Sequence, residues 1–186
     1  FFFKQKTAYE IVDCDWSSDV CSSDLIDDNY FIKINNEKKE NIICYNPSKR
    51  MDFANKVIKI CKNLKFIPLK NLSKQNIIKT LKISKIYIDF GNHPGKDRIP
   101  REAAMLNNCI LTNQKGSAKY FEDLAIPPEF KFKENFFNLF IIKNKINYII
   151  ENFEKEVAKF DQYKKKIKNE KKIFKIEINQ LTNKFK

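Results

Sequence analysis

Residues 86–118, IYIDFGNHPGKDRIPREAAMLNNCILTNQKGSA, read as strand, polar loop, helix, strand and a second loop of small residues. The apolar run 86–90 stopped by Gly91 is the pattern of a buried strand. The loop 92–100 then gathers Lys96, Arg98 and the only histidine of the chain, His93, around Pro94 and Gly95. Pro100 suits a first helical turn, where its missing N–H would have no partner anyway. The helix predicted from residue 101 runs into a second buried strand, 109–112, followed by Gln114-Lys115-Gly116-Ser117. Basic loops at the carboxyl ends of neighbouring strands are where open α/β sheets take ligands, and helix N-termini there favour anions. A phosphate-bearing small molecule is the expected ligand, held at the carboxyl ends of strands 86–90 and 109–112.

The stretches on either side repeat the alternation. Residues 41–45 (NIICY) form a strand candidate ended by Asn46-Pro47-Ser48, and Ser48 is a candidate cap for a helix carrying Met51, Phe53, Ala54, Val57 and Ile58. Residues 64–69 (LKFIPL) read as a strand whose proline suits an edge. Ser73 precedes a further helix with Ile77, Ile78 and Leu81 on one face. Such a β-α-β-α-β-α-β order implies parallel strands, right-handed crossovers and helices on both faces of one sheet. Beyond Ile126-Pro127-Pro128 the chain changes character. Residues 134–186 hold neither Pro nor Gly and read as one or two long helices. Their expected inward face is Phe136, Phe137, Phe140, Ile141, Ile146, Ile149, Ile150 and Phe153, with Phe160, Tyr163, Ile167, Phe174 and Ile178 as a thinner stripe farther on.

Residues 1–25, FFFKQKTAYEIVDCDWSSDVCSSDL, resemble the translation of a sequencing-library adapter, since KQKTAYEI and DWSSDVCSSDL follow its codons in its order. Such a segment is set aside from fold reasoning. Of the 36 basic and 23 acidic residues, this segment holds two and five, so residues 26–186 carry 34 and 18, net +16. The lysines are spread along the chain among Asn and Ile, so most read as solvated faces rather than a nucleic-acid footprint. Cys44, Cys61 and Cys109 lie in apolar contexts with no metal-ligand spacing and read as buried, reduced thiols. The run FFNLFII at 136–142 is far too short to span a bilayer.

The block 41–132 resembles the carboxyl-terminal, nucleotide-sugar-binding half of GT-B fold glycosyltransferases, most closely those of surface-polysaccharide synthesis. The likeness rests on DFGNHPGKDRIPREAAMLNNCILTNQKGSA, where Glu102-Ala103-Ala104 stands at the Glu-Ala position of the family's helix. Lys49, in YNPSKRMDF, stands where such enzymes carry a phosphate-binding lysine, and Gly116 and Ser117 match the later phosphate-facing loop. Three positions depart from the pattern. Arg101 alone separates Pro100 from Glu102, Pro94 replaces the partner glutamate, and Asn46 occupies the neighbourhood of the family's arginine, with Asp97 as a substitute carboxylate.

The resemblance implies an α/β, Rossmann-like parallel sheet with helices on both faces, half of a GT-B fold, plus a long C-terminal helical segment. The expected divisions are the adapter-like segment 1–25, a linker 26–40, the nucleotide-sugar-binding domain 41–133 and the helical extension 134–186. Lys49, His93, Lys96, Arg98, Glu102, Lys115, Gly116 and Ser117 are the expected nucleotide-sugar contacts, with Glu102 on the ribose or transferred sugar. No catalytic residue is singled out, and no metal or cofactor beyond the nucleotide-diphosphate sugar donor is expected. A glycan or lipid-linked acceptor, and turnover itself, would come with the amino-terminal half of such an enzyme. The expected location is the cytoplasm, with the inner face of the membrane and peripheral membrane contact as further options. The alternatives are a non-catalytic nucleotide- or phosphosugar-binding module and a basic nucleic-acid-binding protein.

Overall fold

Short apolar runs form the strands of the computed structural model, which describes residues 26–31, 38–95 and 97–184. The adapter-like reading of 1–25 and the expected ligand contact Lys96 lie outside the described residues. In order, the elements are β1 (Glu40–Tyr45), α1 (Asp52–Ile60), β2 (Lys65–Pro68), α2 (Lys74–Ile83), β3 (Ser84–Asp89), α3 (Arg98–Met105), β4 (Cys109–Asn113), β5 (Lys131–Phe132), α4 (Phe136–Glu151), α5 (Phe153–Ala158) and α6 (Asp161–Lys184). The five strands form one parallel sheet in the order β2-β1-β3-β4-β5. β2 is an edge, which accommodates its Pro68.

Ile42, Ile43 and Cys44 of β1, Ile86 to Ile88 of β3 and Cys109 to Leu111 of β4 are all buried. Near-continuous apolar runs are what a parallel sheet covered on both faces requires. α1 packs with α4, and α3 packs with α6. This is the expected Rossmann-like sheet with helices on both faces and a carboxyl-terminal set of helices. Cys44, Cys61 and Cys109 are buried free thiols, and burial pushes Cys44 up to about 11 and Cys109 up to about 12. Ile26 and Tyr30, from the stretch read as a linker, also enter the core.

Two expectations are corrected. Ser73 does cap α2, its Oγ accepting from Asn76 N at 3.3 Å, but Ser48 caps nothing. Its own N–H is taken by Asn46 Oδ1 at 3.0 Å, and α1 begins one turn later, after Met51. The extension holds three helices, and its aromatic stripe is only partly inward. Leu139, Ile142, Ile146, Ile149 and Phe153 are buried, whereas Phe136, Phe137, Phe140 and Ile141 are exposed. α4 is apolar on more than one side, so docking onto α1 rather than period alone selects the stripe that is covered. On α6, Phe160, Tyr163 and Ile167 are buried, Phe174 is half-buried, and the Ile178 side chain lies outside the described residues. Among the described residues no helix is long and apolar enough to cross a membrane.

Candidate functional site

The chain leaves β1 to form β2 on one side and returns to form β3 on the other, so the strand order reverses between β1 and β3. Above that point, at the carboxyl ends of the two strands, lies a cleft of about 230 Å³ lined by Asn46, Lys49, Asp97, Arg98, Ile99 and Pro100. This switch point is where open α/β sheets place ligands. It lies one strand away from the β3/β4 position expected from sequence. Asn46 and Lys49 arrive on the loop after β1, and the others on the first turn of α3, whose N-terminus carries no side-chain cap.

Lys49 is the hub. Its Nζ donates to Asp89 Oδ2 and to Asp97 Oδ2, each at 2.7 Å. Asp89, at the end of β3, also accepts from Tyr87 Oη at 3.2 Å and from Gly91 N at 3.4 Å. His93 is buried; its Nδ1 meets Asp97, and its Nε2 lies 3.3 Å from Asp89 O and 3.2 Å from Thr112 Oγ1. The threonine hydroxyl donates to the same carbonyl at 2.9 Å. Burial works against the Asp97 charge, but the His93 and Lys49 contacts outweigh it and hold its carboxyl below the usual range. Gly91 permits this packing, because a Cβ there would stand 2.5 Å from Lys49 Cβ.

Asp89, His93 and Asp97 offer ligand atoms within 4.8 Å of one another, close enough to hold a cation. The Lys49 ammonium already sits on both carboxylate oxygens, so the cluster carries its own counterion. His93 spans the loop between Asp89 and Asp97. Thr112 and Tyr87 complete the arrangement. Neither stood out in the sequence, and the position of Thr112 near a strand end was the one available signal.

The second loop serves the first. Gly116 has φ +52°, and a Cβ on it would collide with the carbonyl oxygen of His93. Ser117 N donates to that carbonyl at 2.9 Å, and Ser117 Oγ donates to Gly95 O. Both residues therefore clamp the His93–Gly95 loop. Lys115 pairs with Glu134, while Asn113 Nδ2 bridges Gly91 O at 2.7 Å and Glu134 Oε1 at 2.8 Å.

Glu102 is buried in α3, and its carboxylate is occupied. Arg98 Nε lies 3.0 Å from Oε1, with the Arg98 side chain 63% exposed, and the Tyr30 hydroxyl hydrogen-bonds to Glu102. Burial raises the Glu102 carboxyl above its ordinary range; Arg98 and Tyr30 pull the other way without cancelling it. The same burial pushes the Tyr30 phenol up. Tyr30 is remote in sequence and had no signal there. Arg101, next to Glu102, is also buried and pairs with Glu170 of α6.

A larger open cavity of about 690 Å³ lies at the other end of the sheet, lined by lysines 38, 39, 85 and 155 and by the α4–α5 junction. Lys39 Nζ donates there to the carbonyls of Leu81, Ser84 and Leu106 at 2.9, 2.8 and 2.6 Å.

No protein-family model and no curated protein sequence matches the chain. Among solved structures it is similar to a TarM mutant of S. aureus, crystallised with fondaparinux, alpha-GlcNAc-glycerol and UDP. The match has a TM-score of 0.55 at 18% identity and covers 80% of this chain and 38% of that one. The chain thus spans under two fifths of that protein's length. At this identity the likeness is one of fold, and it agrees with the Rossmann-like sheet expected from the GT-B resemblance.

Proposed function

We propose that the chain binds the diphosphate of a nucleotide sugar in the cleft between β1 and β3, as the donor-binding part of a glycosyltransferase. The carrying observation is the position of Lys49 and Arg98 beside the uncapped N-terminus of α3, at the strand-order switch point. A diphosphate matches charge-assisted donors and helix N–H groups. The similar structure holds UDP, which supports a nucleoside diphosphate as the ligand class. In glycosyl transfer the departing diphosphate gains charge, and Lys49 and Arg98 would stabilise it there. Asp89 and His93 are buried and engaged, so neither is presented to an acceptor as a general base. That same observation favours the second reading, a module that binds the nucleotide sugar without turning it over.

The test is calorimetric titration of the purified chain with UDP, GDP, ADP and CDP. At least one should bind, and Arg98→Ala should weaken it about tenfold, as expected for one partly exposed charge-assisted contact. Lys49→Arg keeps the ion pairs while displacing the charge, and should weaken binding too. Binding indifferent to both changes, or no binding by the intact chain, would overturn the proposal.

A further inference from the structure

The first two turns of α4 expose four large apolar side chains, Phe136 at 69%, Phe137 at 79%, Phe140 at 54% and Ile141 at 52%. The Phe136 ring packs edge-on against Phe137 and Phe140, with centroids 6.3 and 5.7 Å apart, so the patch is continuous. Its base is firmly built. Asn135 Oδ1 accepts from Asn138 N at 2.8 Å, and Asn138 Nδ2 donates to Lys133 O at 2.7 Å. Glu134 is tied to Asn113 and Lys115, which places the patch at the carboxyl edge of the sheet, the edge that carries the cleft.

The rim is basic. Lys133 and Lys143 are exposed beside the aromatic cluster, and Lys56 is exposed on α1, which packs against α4. Among the described residues none of the three forms an ion pair, whereas the nearby acids Asp52 and Glu134 are paired with Arg50 and Lys115. Exposed aromatic side chains with unpaired lysines on the same and the adjoining helix are complementary to an anionic interface that accepts apolar groups between charged headgroups. Apolar side chains held at the headgroup boundary with Lys at the phosphates are what keeps a protein surface on such a bilayer. A stretch too short to span a membrane is long enough to lie on one.

We propose that Phe136, Phe137, Phe140 and Ile141 insert into the surface of an anionic bilayer, with Lys56, Lys133 and Lys143 meeting the headgroup phosphates. This is independent of the nucleotide reading, because none of these residues lines the cleft. The test is co-sedimentation of the intact chain with phosphatidylcholine vesicles, with and without phosphatidylglycerol. Binding should require phosphatidylglycerol. Lys133→Gln with Lys143→Gln should lower the partition coefficient about thirtyfold, since each cation near such a surface contributes roughly fivefold. Replacing Phe136, Phe137 and Phe140 together by Ser should abolish binding while leaving nucleotide affinity unchanged. Should that variant fold poorly, Phe137→Trp in a Trp16→Phe background gives a second reading, a blue shift on anionic vesicles alone. Equal binding to neutral vesicles, sedimentation unchanged by the serine substitutions, or a Phe-dependent dimer in solution would each overturn the proposal.

Discussion

At the amino end of β1, Lys39 donates to three backbone carbonyls; beyond the carboxyl end of the same strand, Lys49 donates to two carboxylates. Both ammonium groups are partly buried, yet their partners differ in kind. Backbone carbonyls at the ends of α2 and α3 need a donor and will accept water in its place. Buried carboxylates need a countercharge, and water replaces that poorly. The first lysine ties β1 to the ends of α2 and α3. The second holds a charged network together beside an open cleft, where an incoming anion would compete with Asp89 and Asp97 for it.

Substituting the two lysines measures this difference. Lys49→Met leaves Asp89 buried without its cation, a change that typically costs about 3–5 kcal/mol. The thermal midpoint should fall by roughly 6 °C or more at this chain length. Nucleoside diphosphate binding should be lost with it. Lys39→Met should cost less, about 1–3 kcal/mol, because the cavity around it admits water to the freed carbonyls. Nucleotide affinity should be unchanged. A loss of affinity in the Lys39 variant equal to that in the Lys49 variant would erase the distinction. Calorimetric melting and titration of the two purified variants would decide.

Gly116 tests the clamp between the two loops. Its positive φ and the His93 carbonyl leave no space for a Cβ, so Gly116→Ala should destabilise by about 1–3 kcal/mol. Hydrogen exchange should rise at Ser117, whose N–H is held by that carbonyl. Unchanged protection there would show that the second loop does not depend on the first.

The strands were legible because each is a short apolar run covered on both faces, and residues 86–90 and 109–112 differ from β3 and β4 only at their ends. The α2 cap was legible because Ser73 stands directly before the first residue of the helix. Ser48 looked equally suitable, but α1 starts at Asp52, so Ser48 stands three residues before the cap position at Met51. The Phe stripe was misread because α4 carries apolar residues on two faces, and contact with α1 decides between them. Around the cleft, Lys49, His93, Arg98 and, within the following helix, Glu102 could be picked out of the sequence by residue type and position. Their partners could not. Asp89 is 40 residues from Lys49, and Tyr30 is farther still from Glu102. The reversal of strand order, which moves the cleft from β3/β4 to β1/β3, is a property of topology that no local pattern carries.

Asp97 at the cleft and Glu102 buried in α3 are perturbed in opposite directions, which gives the smaller predictions a sign. Asp97 is held below its ordinary 3.8, so its stabilising contribution is complete above that value and is lost as pH falls through the folded-state pKa. The stability difference between the wild type and Asp97→Asn should therefore be constant near neutrality and shrink below about pH 4. Urea titrations at several pH values would show it. A difference that widened on acidification would contradict the ion-pair account.

Glu102 should give the smallest effect, with the reverse sign. Burial raises its carboxyl above the ordinary 4.5, so between those two values the folded chain binds more protons than the unfolded one, and stability falls as pH rises through that window. Above it the ionised carboxylate opposes folding by a constant amount. Glu102→Gln removes the charge while keeping an oxygen for the Tyr30 hydroxyl, so at neutral pH it should raise the thermal midpoint by about a degree or two. The gain should vanish near pH 4, where the wild-type carboxyl is protonated. The same variant separates scaffold from ligand contact. If a bound ribose or sugar displaces Tyr30 and reaches the carboxylate, Glu102→Gln should weaken a nucleoside diphosphate or nucleotide sugar and spare inorganic pyrophosphate. A variant that is more stable and binds all three as the wild type does would place Glu102, like Lys39, with the scaffold.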